Sequence, residues 1–219
     1  MPKRSGRLHI LVEGQTEETI VRRVIEPHLT TLGWWVTLSI VRTKRPATGP
    51  AYRGGVAKWS KLEREIRLLL GDTSLTVLTT LLDYYALPVD SPGMSGRPVA
   101  APVDRVAHVE AAISAHFADR RFVPHLVLHE VEAWVFAAHR SLGELHGEAL
   151  AARLRADIDA AGGPELVNDG MTTAPSKRLA KYCPGYIKTT DGPLAVEDLG
   201  LAELRVQCPH LDEWLKGLE

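Results

Sequence analysis

Acidic side chains close three separate apolar runs of this chain. Residues 8–12 stop at Glu13, and residues 77–82 stop at Asp83. Residues 122–128 run into His129 and Glu130, with Glu132 two places on. Short apolar runs of this kind read as buried strands of a largely parallel sheet. In such sheets ligands bind beyond the carboxyl ends of the strands, which is where these acids would converge. Converging carboxylates repel each other unless protons or a cation neutralise them. For an oxygen-only donor set that cation is Mg²⁺ or Mn²⁺, and the chemistry that follows is metal-assisted reaction at phosphate.

Each acid also has a plainer reading. In Glu13-Gly14-Gln15-Thr16-Glu17-Glu18, Gly14 permits a tight turn, and Glu17 falls in the first turn of the following helix, facing the strand ends. Glu13 and Glu17 then read as metal ligands; alternatively, Glu17 and Glu18 only complement the helix dipole. Asp83, before Tyr84-Tyr85, is costly after a buried strand unless ligated or hydrogen-bonded, though it also suits the start of a loop. Glu130 and Glu132 share a face if the strand continues and diverge if a helix begins at once. His129 reads as a ligand, a proton shuttle or a packed side chain. His-Glu-x-Glu lacks the His-Glu-x-x-His spacing of zinc proteases. In Ala174-Pro175-Ser176-Lys177-Arg178, Pro175 fits the first helical position, which puts two cations in the first turn. The dipole disfavours cations there, so a bound phosphate or simple solvation must account for them.

The elements that position these groups follow from periodicity. A strand at 8–12 leads to a helix near 17–32 with Thr16 as its N-cap and Gly33 at its end. Residues 34–41 alternate as a second strand. Residues 42–55 form a basic loop whose Arg42, Lys44, Arg45 and Arg53 suit a nucleic-acid backbone. A helix at 56–70, the strand ending at Asp83, a proline-rich functional loop at 84–103, a helix at 104–118 and the strand to Glu130 complete a β-α-β-α-β-α-β order. Residues 133–160 read as helical, 162–175 as loop, and the rest as short helices broken at Pro184, Pro193 and Pro209. The expected fold is α/β: a mostly parallel central sheet flanked by helices (1–135), with a helical C-terminal extension (136–219) covering it as part of one structural domain.

Composition narrows the function class. A formal net charge of −1 over 219 residues argues against a freestanding basic nucleic-acid binder but permits a local basic groove. The two cysteines, Cys183 and Cys208, form no Cys-x-x-Cys pair and read as reduced thiols. No apolar run has the length of a signal sequence or a membrane span, so the expectation is a cytoplasmic protein away from the membrane. No phosphate-binding P-loop and no Gly-x-Ser-x-Gly elbow is present.

Several strings together resemble a bacterial family, domain of unknown function 4276. They are Leu8-His9-Ile10-Leu11-Val12-Glu13-Gly14-Gln15-Thr16-Glu17-Glu18, Leu82-Asp83-Tyr84-Tyr85-Ala86-Leu87-Pro88, Arg121-Phe122-Val123-Pro124, Leu128-His129-Glu130-Val131-Glu132-Ala133, Thr173-Ala174-Pro175-Ser176-Lys177-Arg178 and Cys208-Pro209-His210. The resemblance runs from near residue 8 to the C-terminus. It implies a Toprim-like sheet of the kind found in topoisomerases, primases and the overcoming-lysogenization-defect nucleases. It places the Toprim glutamate on Glu13, the nuclease-branch helical acid on Glu17 and the first Toprim aspartate on Asp83. The second aspartate is replaced by Tyr85, which puts topoisomerase and primase activity in doubt. Glu130 or Glu132 would supply the missing ligand, and Lys177 would steady the scissile phosphate beside Arg178. The implied activity is Mg²⁺- or Mn²⁺-dependent nuclease action on DNA or RNA, beside a separate ATPase subunit and in defence against phage. A homodimer is compatible with it. Two alternatives stay open: a catalytically degenerate subunit binding an ATPase partner or nucleic acid, and an enzyme acting on a small phosphoester.

Overall fold

Alternation along the first strand decides how the molecule is layered. The computed structural model describes residues 6–41, 58–167 and 173–219. Strand β1 (Gly6–Val12) turns Leu8, Ile10 and Val12 to one face and Leu11 to the other, as the period of two in a strand requires. It is flanked by two parallel neighbours, β2 (Trp34–Ile40) and β3 (Leu75–Asp83). Beyond β3 lie two short parallel pieces, β4 (Phe122–Val123) and β5 (Leu126–Val127), so the sheet order is β2-β1-β3-β4 with β5 also on β3.

The strand expected to run unbroken to Glu130 is therefore two pieces. Pro124 has no N–H to give the ladder, which splits the run. The Thr80 hydroxyl of β3 repairs the gap: it accepts the His125 N–H at 2.9 Å and donates to the His125 carbonyl at 2.8 Å.

One face is covered by α3 (Trp59–Leu70) and α4 (Pro102–Phe117), whose Leu62, Ile66, Val106, Val109 and Ile113 pack on Leu11, Leu78 and Leu82. The other face takes the helical run after β1, made of α1 (Gln15–Ile20), a π-helical stretch Val21–Ile25 and α2 (Glu26–Thr31). Gly14 rather than Thr16 occupies the N-cap, and Thr16 is buried inside α1. Gly33, at φ 96°, ends the run in a conformation that favours glycine.

The same face continues into helices α5 (Glu132–Ala137), α6 (His139–His146), α7 (Glu148–Ala161), α8 (Pro175–Tyr182), α9 (Asp191–Leu199), α10 (Leu201–Gln207) and α11 (Pro209–Leu218). Their Trp134, Phe136, Leu154, Val196, Leu211 and Leu215 join Leu8, Ile10 and Ile20 in one apolar cluster. Two tryptophans pin the last helix. Trp214 Nε1 donates to Thr79 Oγ1 at 2.8 Å, and Trp34 Nε1 donates to the Leu218 carbonyl at 2.9 Å. The result is the mostly parallel central sheet flanked by helices, with helical C-terminal sequence over one face, that the periodicity predicts.

Candidate functional site

Glu13 follows β1 and Asp83 ends β3, and these two strands are hydrogen-bonded neighbours. The parallel register brings Val12 opposite Leu81, so the two acids emerge side by side. The Asp83 N–H donates to Glu13 Oε2 at 3.1 Å, and the Val131 N–H donates to Asp83 Oδ1 at 2.9 Å. Glu17 comes from the first turn of α1 and is buried. A Cβ on Gly14 would stand 3.2 Å from Glu17 Oε2, so the glycine leaves room for that carboxylate. Glu132 opens α5 and is fully buried.

Four acids are thus drawn together, and the raised pKa values of Glu13, Asp83 and Glu132 register it. Burial, then the charge of Glu17, pushes the Glu13 carboxyl up to about 7, against the pull of the Asp83 N–H and Lys188. Asp83 is raised well above the ordinary aspartate range by burial, then by Glu13, Glu17 and Glu132. Glu132 is raised by burial, with Lys188 opposing.

Lys188 is the cation that sequence spacing did not reveal. Its Nζ lies 2.8 Å from Glu132 Oε1. Burial acts to lower its pKa, yet Glu132, Asp83 and Glu17 hold it above the ordinary lysine value. Glu132 Oε2 has no hydrogen-bond partner among the described residues. Neither has the buried Tyr186 hydroxyl, which burial, then Glu132, raises in pKa. A Cβ on Gly192 would come within 2.5 Å of that hydroxyl, so the glycine is what admits Tyr186 here. Nothing in the spacing ties 186 or 188 to 132. The one available signal is a lysine and a tyrosine between the Pro184-Gly185 and Gly192-Pro193 breaks.

Of the remaining candidates, those described have other hydrogen-bond partners or face solvent. His129 adopts φ 68°, turning the chain between β5 and α5. Its carbonyl accepts the Tyr85 N–H at 2.9 Å. That turn sends the Glu130 and Glu132 side chains to different partners, although Glu130 stays near enough for its charge to add to burial in raising the Glu132 pKa. Glu130 faces the start of α8, accepting the Ser176 N–H at 2.9 Å and the Ser176 hydroxyl at 3.0 Å. It serves as the cap that Ala174, a residue without a polar side chain, cannot provide. Lys177 is exposed on α8. Arg178 is committed to Asp157 at 2.6 Å and to the Thr173 carbonyl at 2.7 Å. Tyr84 is buried with its hydroxyl accepting from Arg97 at 2.9 Å, and Tyr85 is half-exposed. Arg42, Lys44, Arg45 and Arg53 lie outside the described residues.

Divalent ions are what such an arrangement can take. Three buried carboxylates, one with a bare oxygen, and the half-buried Glu13 supply the all-oxygen donor set that Mg²⁺ or Mn²⁺ requires. The residues present fit the ion that the resemblance implies.

A family model described as a domain of unknown function, DUF4276, matches residues 12–219. Among solved structures, the C-terminal region of the Burkholderia pseudomallei OLD protein is similar at 17% identity and a TM-score of 0.44, over 98% of this chain and 99% of that one. No curated protein matches. Among the described residues, no helix is long and apolar enough to cross a membrane.

Proposed function

The chain belongs to the DUF4276 family, and from that footing we propose that it hydrolyses phosphodiester bonds with the help of Mg²⁺ or Mn²⁺, as a nuclease acting on DNA or RNA. The observation that carries this reading is the 3.1 Å hydrogen bond between Glu13 and the Asp83 backbone, with buried Glu17 and Glu132 beside them.

Glu13, Glu17, Asp83 and Glu132 would hold the metal. A bound divalent ion lowers the pKa of water and neutralises charge on the phosphate and leaving oxygen. The protein's part is positional. The Asp83 and Val131 N–H groups fix the orientation of the Glu13 and Asp83 carboxylates. Lys188 presents a charged ammonium at the same place, where it offsets the negative charge that grows on phosphate during in-line displacement. Lys188 thus takes the role that the resemblance gives to Lys177. The basic residues of 42–55 are the segment proposed to track a nucleic-acid backbone. An ATPase partner, a second copy of the chain and a role against phage belong to the same proposal, on the strength of the resemblance alone.

Plasmid nicking by the purified protein in Mn²⁺ tests this reading. Activity should vanish in Glu13→Ala and Asp83→Ala. Equal activity in both variants and the parent would remove the mechanism.

A second reading has two observations in its favour. Lys188 already neutralises Glu132 from within the protein, and Tyr85 stands where a second aspartate is expected. A Toprim-like interaction subunit that binds an ATPase or nucleic acid without turnover would look this way. It predicts no change in melting temperature with Mg²⁺ or Mn²⁺, whereas the nuclease reading predicts a rise.

A further inference from the structure

Two of the sequence strings described above play no part in the acid site: the one ending in Pro124 and the Cys208-Pro209-His210 string. They meet in space. His125, directly after Pro124, stacks on His210 with ring centroids 4.8 Å apart, and Glu110 of α4 reaches both imidazoles. We propose that Glu110, His125 and His210 form a second metal site, suited to Zn²⁺ and separate from the acid cluster.

The donor set is two imidazoles and one carboxylate, drawn from α4, the break between β4 and β5, and α11, and placed within 4.8 Å of one another. Glu110 Oε1 lies 3.4 Å from His125 Nδ1 and 3.3 Å from His210 Nε2. Both separations are long for a hydrogen bond, where nitrogen to oxygen runs about 2.7–3.2 Å. They match two edges of a tetrahedral ligand set; the third, between the two imidazole nitrogens, is wider at up to 4.8 Å, so the rings must draw together to share one ion. With zinc bonds of about 2.0–2.1 Å, the edge of the tetrahedron is about 3.3–3.4 Å. His125 is 2% exposed and its Nε2 has no hydrogen-bond partner among the described residues. The donor to the ion would be Nδ1, which faces Glu110, so the bare Nε2 marks a buried, incompletely satisfied ring and is not itself the ligand atom.

The groups behind the donors hold them in place, as a metal site requires. The Leu126 N–H donates to Glu110 Oε1 at 2.7 Å, leaving the carboxylate further lone pairs. Thr80 fixes the His125 backbone at both its N–H and its carbonyl. The His125 ring lies flat on Trp214, at 4.5 Å and 5°, and Trp214 is itself anchored on Thr79. The His210 N–H donates to Glu165 Oε2 at 2.9 Å. His210 Nε2 donates to the Leu126 carbonyl at 3.1 Å. An ion displaces that proton to solvent, so uptake releases a proton and strengthens as pH rises. Two nitrogen donors select a borderline-soft ion over Mg²⁺ or Ca²⁺. Three protein ligands leave a fourth position for water or another small donor.

The test uses the full chain, stripped with a chelator and then titrated with Co²⁺ and Zn²⁺. Co²⁺ should give the intense visible absorption of a four-coordinate nitrogen–oxygen site, at one equivalent, and Zn²⁺ should bleach it. An all-oxygen, six-coordinate site absorbs only weakly, so the acid cluster does not imitate this signal. His125→Phe keeps a flat ring over Trp214 and should cost well over tenfold in Co²⁺ affinity, as should Glu110→Gln. Glu13→Gln and Asp83→Asn should leave the band in place, so the two metal proposals stand or fall separately. No intense band in the parent, or a band unchanged in folded His125→Phe or Glu110→Gln, overturns the site. Should both variants fail to fold, the parent titration alone decides.

Discussion

Lys188 Nζ sits 2.8 Å from Glu132 Oε1, joining the segment before α9 to the first turn of α5. The acid cluster is therefore not the property of the strand ends alone. Its cation arrives from 56 residues further along the chain than Glu132, and both sit among carboxylates that resist ionisation.

Removing that cation separates its electrostatic role from its place in packing. Lys188→Met should lower the melting temperature in the absence of divalent ions, because Glu132 then loses its only ion pair among the described residues. In a chain of this size each kcal/mol lost lowers the melting temperature by roughly 2–4 °C. Mn²⁺ should restore most of the loss by supplying positive charge at the same acids. Thermal melts with and without Mn²⁺ check this. A deficit that Mn²⁺ leaves untouched would mean that the ion binds elsewhere.

Glu13→Gln and Asp83→Asn remove donors while keeping shape. Loss of a group merely supporting a ligand costs about 10–100-fold in metal affinity, and loss of a ligand itself should exceed that. Calorimetric titration with Mn²⁺ measures it directly, and nicking rates should fall in parallel.

Protonation sets a definite pH signature. Glu13 is raised from its ordinary 4.5 to about 7 in the folded chain. Between those values the folded state holds a proton that the unfolded state has released. Stability from this group is therefore full below about pH 4.5 and lost as pH climbs through about 7. Buried His9 and His125, with lowered pKa values, titrate in the opposite sense, so a difference must be read. Without divalent ions, Glu13→Gln should gain melting temperature relative to the parent as pH rises through this window. Mn²⁺ should erase that gain by stabilising the parent alone. A difference independent of pH would mean that Glu13 ionises freely.

Glu130→Gln addresses the opposite expectation. Both Glu130 oxygens are engaged by Ser176. The substitution should cost about 1 kcal/mol, the scale of a helix cap, and leave Mn²⁺ affinity close to the parent's. A collapse in affinity would return Glu130 to the ligand set.

Trp134→Ala probes the core beneath α5. The side chain is fully buried, and truncation should cost about 3–5 kcal/mol. Denaturant titration checks the magnitude. Glu132, on the same helix, should lose metal affinity along with it.

The strand-end acids were legible because apolar runs of strand length end abruptly in Glu13 and Asp83, and neighbouring parallel strands carry such ends to one edge. Glu17 was legible from the turn and helix after β1. Glu130 and Glu132 were not separable, because their fates depend on the left-handed backbone at His129, a residue whose type does not announce it. Lys188 was invisible for another reason. Its partner is chosen by how α8 and α9 pack, and no periodicity encodes a contact across that distance. The break at Pro124 could have been read from its missing N–H, but the repair by Thr80 depends on tertiary placement.

The bonds from Trp214 to Thr79 and from Trp34 to Leu218 carry a consequence for how the molecule is born. Thr79 lies on interior strand β3 and Trp34 on edge strand β2, so both contacts wait until residues 209–218 have left the ribosome. Until then the apolar face beneath α11 lacks that part of its cover, and transiently exposed surface of this kind favours aggregation.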